Sequence, residues 1–192
     1  MLKEMNILIV GVGGQGTILA SKILADVAQQ QGYDVKVSEI HGMAQRGGSV
    51  VTQVRMGEKI YAPIISEGQA DIILAFEQLE ALRWVHFLKE EGTLIVNRQV
   101  IEPVPVLLGL QPYPAGIIEK LKAHVKDVID LDALDIAGKC GNKKAVNVVL
   151  MGVLAKKMNI PREVWDRALD NKVPARFLEL NKQAFEAGWM AG

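Results

Sequence analysis

The sequence predicts an α/β fold in which a mainly parallel sheet carries helices on both faces and is followed by a helical C-terminal segment. Short runs rich in β-branched residues alternate with stretches of helical periodicity, a pattern typical of strands joined by crossover helices. The unbroken apolar run Met5–Val10 predicts a central strand that is buried on both faces. A glycine-rich stretch then separates this strand from the first helix, as in sheets that bind ligands at their carboxyl edge.

The elements that follow the first strand have clear boundaries in the sequence. The spacing of apolar residues predicts a helix over Gln15–Gln31, and Gly32 is well suited to end it in a left-handed conformation. Strands are predicted over Asp34–Ile40 and Ser49–Met56. The stretch His41–Gly48 between them has no periodicity and is rich in glycine, so we expect a loop.

The middle of the chain repeats the alternation of strands and helices. Strands are predicted over Asp71–Phe76, Thr93–Asn97 and Val125–Asp130, and helices over Glu77–Leu88, Ile117–Ala123 and Leu131–Ala137. The segment Glu102–Pro114 contains four prolines, so we expect a constrained connector without a regular element.

The C-terminal part has a different character. Val146–Met158 predicts a helix that is apolar on nearly every side and therefore belongs to the core or lies under a partner, the core being favoured. Pro161 and Pro174 fit the first turns of two further helices. We expect a single domain over residues 1–192, with an α/β core in 1–143 and helices packed on it in 144–192.

Composition excludes several classes of function. Lys+Arg and Asp+Glu both number 22 among the 192 residues, so the formal net charge is zero and gives no broad attraction to nucleic acid or to an anionic membrane. The single cysteine, Cys140, cannot by itself form an intrachain disulfide or hold a zinc ion or an iron–sulfur cluster. We expect Cys140 to be a small packing residue and the protein to be soluble and cytoplasmic, with no metal site.

The first candidate site is the glycine loop, Gly11-Val12-Gly13-Gly14-Gln15-Gly16. Three interpretations are open. With Glu39 as the ribose-binding carboxylate, the loop would bind NAD or a flavin in a Rossmann-like manner. Alternatively, the glycines make a tight turn against a neighbour, or Gly11, Gly13, Gly14, Gln15 and Gly16 bind another phosphate-bearing ligand at the helix N-terminus.

The second candidate site is the loop His41–Ser49, which has the sequence HGMAQRGGS. It should lie at the same sheet edge as the glycine loop, because both follow parallel strands. His41, Gln45 and Arg46 provide an imidazole, an amide and a guanidinium, and Gly47 and Gly48 allow a close backbone approach. We expect Arg46 to contact a partner or an anion, whereas His41 alone is better interpreted as a hydrogen-bonded loop residue. No residue is predicted to be catalytic.

The two loops together resemble the gamma-type domain of 2-oxoacid:ferredoxin oxidoreductases. The motifs are GVGGQG and EIHGMAQRGGSVVTQVRMG, and their form is most similar to the beta-subunit group of the indolepyruvate enzymes. Further similar positions are Ala70–Leu74, Glu77, Glu80–Leu82, Gly141-Asn142, Asn147–Gly152, Asn181 and Ala184-Phe185, so the resemblance extends over nearly the whole chain.

The resemblance implies a non-catalytic subunit of a heteromer that converts an aryl 2-oxoacid, CoA and oxidised ferredoxin into acyl-CoA, CO2 and reduced ferredoxin. It places thiamine diphosphate, Mg²⁺ and [4Fe–4S] clusters in a large alpha subunit and no cofactor in this chain. Both loops would then face the alpha subunit, near a shared site for CoA and the oxoacid. The alternatives from the glycine loop alone are a stand-alone NAD(P)- or flavin-dependent reductase and, less favoured, a nucleotide-sensing regulatory domain.

Overall fold

The computed structural model describes residues 3–42 and 47–192 of the chain. In this part of the protein, six strands form one sheet in the order β2-β3-β1-β4-β5-β6. The strands are β1 (Met5–Val12), β2 (Asp34–His41), β3 (Ser49–Gly57), β4 (Ala70–Ala75), β5 (Leu88–Asn97) and β6 (Asp127–Leu131). The helices are α1 (Thr17–Gln30), α2 (Gln78–Trp84), α3 (Val104–Leu107), α4 (Ile117–His124), α5 (Ala133–Lys139), α6 (Val146–Lys157), α7 (Arg162–Lys172) and α8 (Leu178–Ala191).

The predicted α/β class is confirmed, with one feature that local patterns do not reveal. β1 pairs in parallel with β4, and β5 pairs in parallel with both β4 and β6. β3, however, is antiparallel to both β1 and β2 and lies between them. A loop of only a few residues joins β2 to β3, which suits an antiparallel pair, whereas a parallel pair needs a long crossover.

Helices cover both faces of the sheet, and the sheet separates the hydrophobic core into two clusters. On one face, α1 and the C-terminal helices α6, α7 and α8 pack over alternate strand residues such as Ile9 and Leu74. On the other face, α2 and α4 cover the intervening residues, including Leu8 and Ile73. The predicted core role of the apolar helix α6 is confirmed, because every residue from Val146 to Ala155 is buried.

Two glycines allow the backbones of helices α6 and α8 to come into contact. A Cβ atom added at Gly188 would overlap the carbonyl oxygen of Val149, and one added at Gly152 would overlap the carbonyl oxygen of Phe185. Only glycine therefore allows the two helices to approach this closely.

Two predicted elements differ from the structure. The helix predicted over Glu77–Leu88 ends at Trp84 and is followed by a 3-10 turn, and Leu88 already begins β5. Pairing with β4 and an ion pair of 2.6 Å between Lys89 and Asp71 hold this segment extended. The connector Glu102–Pro114 does contain a regular element, the one-turn helix α3, whose first turn accommodates Pro105 because no N–H is required there.

Within the described residues, no helix is both long enough and apolar enough to cross a membrane.

Candidate functional site

The glycine loop and the second loop meet at the carboxyl edge of the sheet, as predicted. β1 ends at Val12 and β2 at His41, and β3 begins beside them at Ser49. A hydrogen bond of 2.9 Å from the Gly13 N–H to the Gly48 carbonyl oxygen joins the two loops. The loops therefore form one continuous surface, which we call the loop surface and define by residues 11–16, 41–42 and 47–49.

Left-handed backbone conformations explain two glycines of the first loop. Gly14 has a φ of 98° and Gly16 a φ of 84°, values that side-chain-bearing residues rarely adopt. Gly16 is also crowded, since an added Cβ would lie 2.6 Å from Nδ2 of Asn147 at the start of α6. That Nδ2 donates to the Gly16 carbonyl oxygen at 3.3 Å. Gly16 thus allows the left-handed turn and also leaves room for the N-terminus of α6 to pack against it.

The Gln15 side chain lies across the carboxyl ends of β1 and β4. Its Oε1 accepts from the Val12 N–H at 2.7 Å, and its Nε2 donates to the Phe76 carbonyl oxygen at 3.0 Å and to Oε1 of Gln99 at 3.1 Å. The Val12 and Gly13 N–H groups are therefore both bound within the protein. A dinucleotide needs close backbone approach at this turn, so the geometry favours the tight-turn interpretation.

Glu39 is likewise engaged within the fold. Its Oε1 accepts from the Ser21 hydroxyl of α1 at 2.8 Å, which ties the edge strand β2 to that helix. The carboxylate expected to bind a ribose therefore has a structural partner. This contact is a second reason to prefer a turn over an NAD or flavin site.

A cavity opens beside the N-terminus of α1. Its volume is about 450 Å³, and it is lined by Gly14, Gln15, Gly16, Gln99, Leu134, Lys143, Lys144 and Val146. The two ammonium-bearing side chains and the positive end of the α1 dipole favour an anion in this space. Lys143 and Lys144 did not emerge from the sequence as site residues. The sequence did contain one indication of an anion site. Two lysines directly before an apolar helix are unfavourable for the dipole of that helix, so they need another partner.

The second loop is described only at its two ends. His41 is exposed at the end of β2, and Gly47 has a left-handed φ of 81°. Gln45 and Arg46 lie outside the described residues, as does Met43. At the far end of the loop, the Ser49 hydroxyl donates to the Glu80 carboxylate, which also binds Arg83 at 2.8 Å.

Two buried carboxylates lie at the start of α2, and one of them contacts the loop surface. Glu80 anchors Ser49, and Glu77 caps α2 by accepting from the Glu80 N–H at 2.9 Å. Glu77 also accepts from the Tyr113 hydroxyl at 2.6 Å and from the Ile101 N–H at 3.2 Å. Burial and this carboxylate raise the pKa of the Tyr113 hydroxyl, which therefore remains a donor throughout the physiological range. The sequence singled out Glu77 and Glu80 only by resemblance and assigned them no role.

The described residues do not fit a metal or cluster site. No group of three or more His, Cys, Asp or Glu side chains in residues 3–42 and 47–192 is arranged to hold a metal ion. The thiol of Cys140 is partly buried and lies 3.9 Å from the carbonyl oxygen of Gln183. An iron–sulfur cluster needs several cysteine ligands, which this chain does not possess.

The structure is thus an α/β domain in which two glycine loops are joined at one sheet edge. The Gln15 side chain occupies the turn where a dinucleotide would have to approach. The chain belongs to the pyruvate ferredoxin/flavodoxin oxidoreductase family, whose model matches residues 6–191. The resemblance identified from the two loops is thereby confirmed.

Comparison with individual proteins shows which members of the family this chain is similar to. The chain is 40% identical over 194 residues to indolepyruvate oxidoreductase subunit IorB of Thermococcus kodakarensis, covering 97% of this chain and 95% of the relative. It is 39% identical over 190 residues to the subunit of the same name from Methanothermobacter thermautotrophicus, covering 97% and 96%. Among solved structures, it is similar to the gamma subunit of a keto/oxoacid ferredoxin oxidoreductase from Geobacter sulfurreducens, with a TM-score of 0.73, 26% identity and 97% of each chain covered. The chain is thus an oxidoreductase subunit, as expected.

Proposed function

We propose that this chain is the small, cofactor-free subunit of an indolepyruvate:ferredoxin oxidoreductase. The overall reaction would convert an aryl 2-oxoacid, CoA and oxidised ferredoxin into aryl-acyl-CoA, CO2 and reduced ferredoxin. The observation that carries the proposal is the 40% identity to IorB subunits along nearly the whole length of both chains. We also propose that residues 1–192 form one gamma-type domain and that the protein works in the cytoplasm.

The partner in this proposal is a large alpha subunit. In it, thiamine diphosphate with Mg²⁺ would supply the carbanion chemistry, and [4Fe–4S] clusters would pass electrons to ferredoxin. This chain would complete the active site by presenting the loop surface. The hydrogen bond between Gly13 and Gly48, together with the anchor of Ser49 on Glu80, fixes the first loop against residues 48–49 at the end of the second loop before a partner binds. Such preorganisation lowers the entropic cost of assembly.

The cavity beside the loop surface has features that favour an anion, and these indicate what would bind there. Lys143, Lys144 and the N-terminus of α1 surround the cavity beside Gly14–Gly16. Phosphates of CoA or the carboxylate of the oxoacid are the anions that the proposed reaction brings to a shared site. We propose that Gln45 and Arg46 extend this surface, because a guanidinium can form paired hydrogen bonds with either anion.

Co-expression with a candidate large subunit tests the proposal. The assay is CoA-dependent reduction of a viologen dye with indolepyruvate, phenylpyruvate and hydroxyphenylpyruvate, each measured with both chains and with either chain alone. We expect turnover only when both chains are present, and the order of rates would identify the preferred oxoacid. Tight binding of NADH or a flavin by the purified chain, with turnover and no partner, would instead establish the reductase alternative.

A further inference from the structure

A largely apolar, solvent-exposed segment follows the end of β5. We call residues 100–113 the apolar arm. Between Glu102 and Glu119 the chain contains no Asp, Glu, Lys, Arg or His. Five large apolar side chains of the arm are 49–75% exposed: Val100, Val104, Leu107, Leu108 and Leu110. Single exposed apolar residues are ordinary, whereas a contiguous group of this kind indicates a binding surface.

The arm has a defined conformation although it is exposed. After α3, Gly109 adopts a left-handed φ of 69°. The Gly109 N–H donates to the Val106 carbonyl oxygen at 2.9 Å, and the Leu110 N–H donates to the Pro105 carbonyl oxygen at 2.9 Å. These two bonds form a Schellman motif, which ends a helix by pairing its last carbonyls. Leu107 and Leu110 are therefore presented from a fixed backbone.

One buried carboxylate oxygen holds both ends of the arm. Oε1 of Glu77 accepts from the Ile101 N–H at the start of the arm and from the Tyr113 hydroxyl at its end. Glu77 is completely buried, so these bonds are shielded from competing water. The arm is thus closed into a loop whose base is attached to the N-terminus of α2.

The arm is continuous with the loop surface. Gln99, which directly precedes the arm, accepts a hydrogen bond of 3.1 Å from the Gln15 side chain and lines the cavity beside Gly14–Gly16. The arm therefore begins directly beside the loop surface, within reach of a partner that covers that surface.

We propose that the apolar arm is a docking element for the large subunit and fits an uncharged apolar groove on it. This inference rests on the proposed function, because that function places the large subunit against the adjoining loops. The only charged residue of the arm is the acidic Glu102, and the rest of the arm matches an apolar protein groove, whereas nucleic acid or an anionic membrane would need basic residues. The arm would act as an anchor whose conformation is already fixed when the subunits meet.

The test compares two double variants in the full chain, each co-expressed with the large subunit. Leu107→Gln/Leu110→Gln removes apolar surface from the arm without adding charge. Tyr61→Gln/Met190→Gln makes a matched change at two other exposed residues, which are 84% and 72% exposed. Affinity for the large subunit is measured by titration, and folding of each chain by circular dichroism and thermal unfolding.

We expect the arm variant to keep its fold and to bind the large subunit roughly 100-fold more weakly, since burial of each leucine contributes about tenfold or more. The control should bind like the wild type. Equal affinity of the arm variant and the wild type for the large subunit would overturn the docking role. The role would also be overturned if the wild-type chain formed a homodimer, and the arm variant lost this homodimer but still bound the large subunit normally. If wild-type chain and large subunit do not bind at all, the proposed function itself fails.

Discussion

Replacing Gly188 with alanine would place a methyl group against the backbone of the neighbouring helix α6. The added Cβ would overlap the Val149 carbonyl oxygen and approach its carbon, and neither atom can move independently of the helix. In an unhindered helix the same substitution is favourable by about 0.8–1.0 kcal/mol. Overpacking of a close-packed interior costs roughly 1–3 kcal/mol, and a backbone overlap belongs at the upper end of that range.

The overlap should dominate, so Gly188→Ala is expected to lower the free energy of unfolding by about 2 kcal/mol. For a chain of this size, a loss of 1 kcal/mol corresponds to roughly 2–4 °C in Tm, so we expect Tm to fall by about 4–8 °C. The assay is thermal unfolding by circular dichroism, with urea titration to obtain the free energy.

Gly138 provides a matched control within α5. A Cβ added there would meet only the flexible side chain of Lys143, at 3.7 Å. Gly138→Ala should therefore leave stability unchanged or raise it by about 0.4–1 kcal/mol. If Gly188→Ala proved as stable as Gly138→Ala, the inferred backbone contact between α6 and α8 would be refuted.

Three further predictions concern the site and its support. Arg46→Ala should raise the KM for CoA or the oxoacid, or weaken assembly with the large subunit, and unchanged values of all three would contradict the anion-recognition hypothesis. Lys143→Ala/Lys144→Ala should raise the KM for CoA by about tenfold at low salt and by less at high salt, because the contact is electrostatic. If the KM of this variant equals that of the wild type at every salt concentration, the cavity does not bind CoA. Tyr113 has a raised pKa, so the stability that it contributes is complete below about pH 10 and is lost as pH rises further, toward the folded-state pKa. Tyr113→Phe should flatten the fall in stability above about pH 10, and equal slopes for both proteins would refute the coupling to Glu77.

Much of the fold follows from local patterns in the sequence. The apolar run at residues 5–10 specifies a buried central strand, and Gly32 ends α1 with a left-handed φ of 80°. The position of both loops at one sheet edge was also predictable, because the strands before them point the same way. These features depend on a few neighbouring residues, so the sequence expresses them directly.

Other features depend on contacts between distant parts of the chain. The sequence favours a helix that continues as far as Leu88, because residues 77–88 contain no glycine or proline. Pairing with β4 overrides this preference. The one-turn helix α3 was missed because four prolines in its segment indicated an irregular connector, although one of them fits a first helical turn.

The glycine loop also has some features set by the local sequence and others set by the tertiary structure. The sequence by itself determined that glycines follow β1 and that the second loop lies beside them, and these two motifs identified the family. Only the tertiary structure decided that the Gln15 side chain occupies the turn, that Lys143 and Lys144 line its cavity, and that Glu77 closes the apolar arm. The physical reason is that turn geometry is set by adjacent φ and ψ angles. The partner of a hydrogen-bonding group is instead set by how strands and helices far apart in the chain pack together.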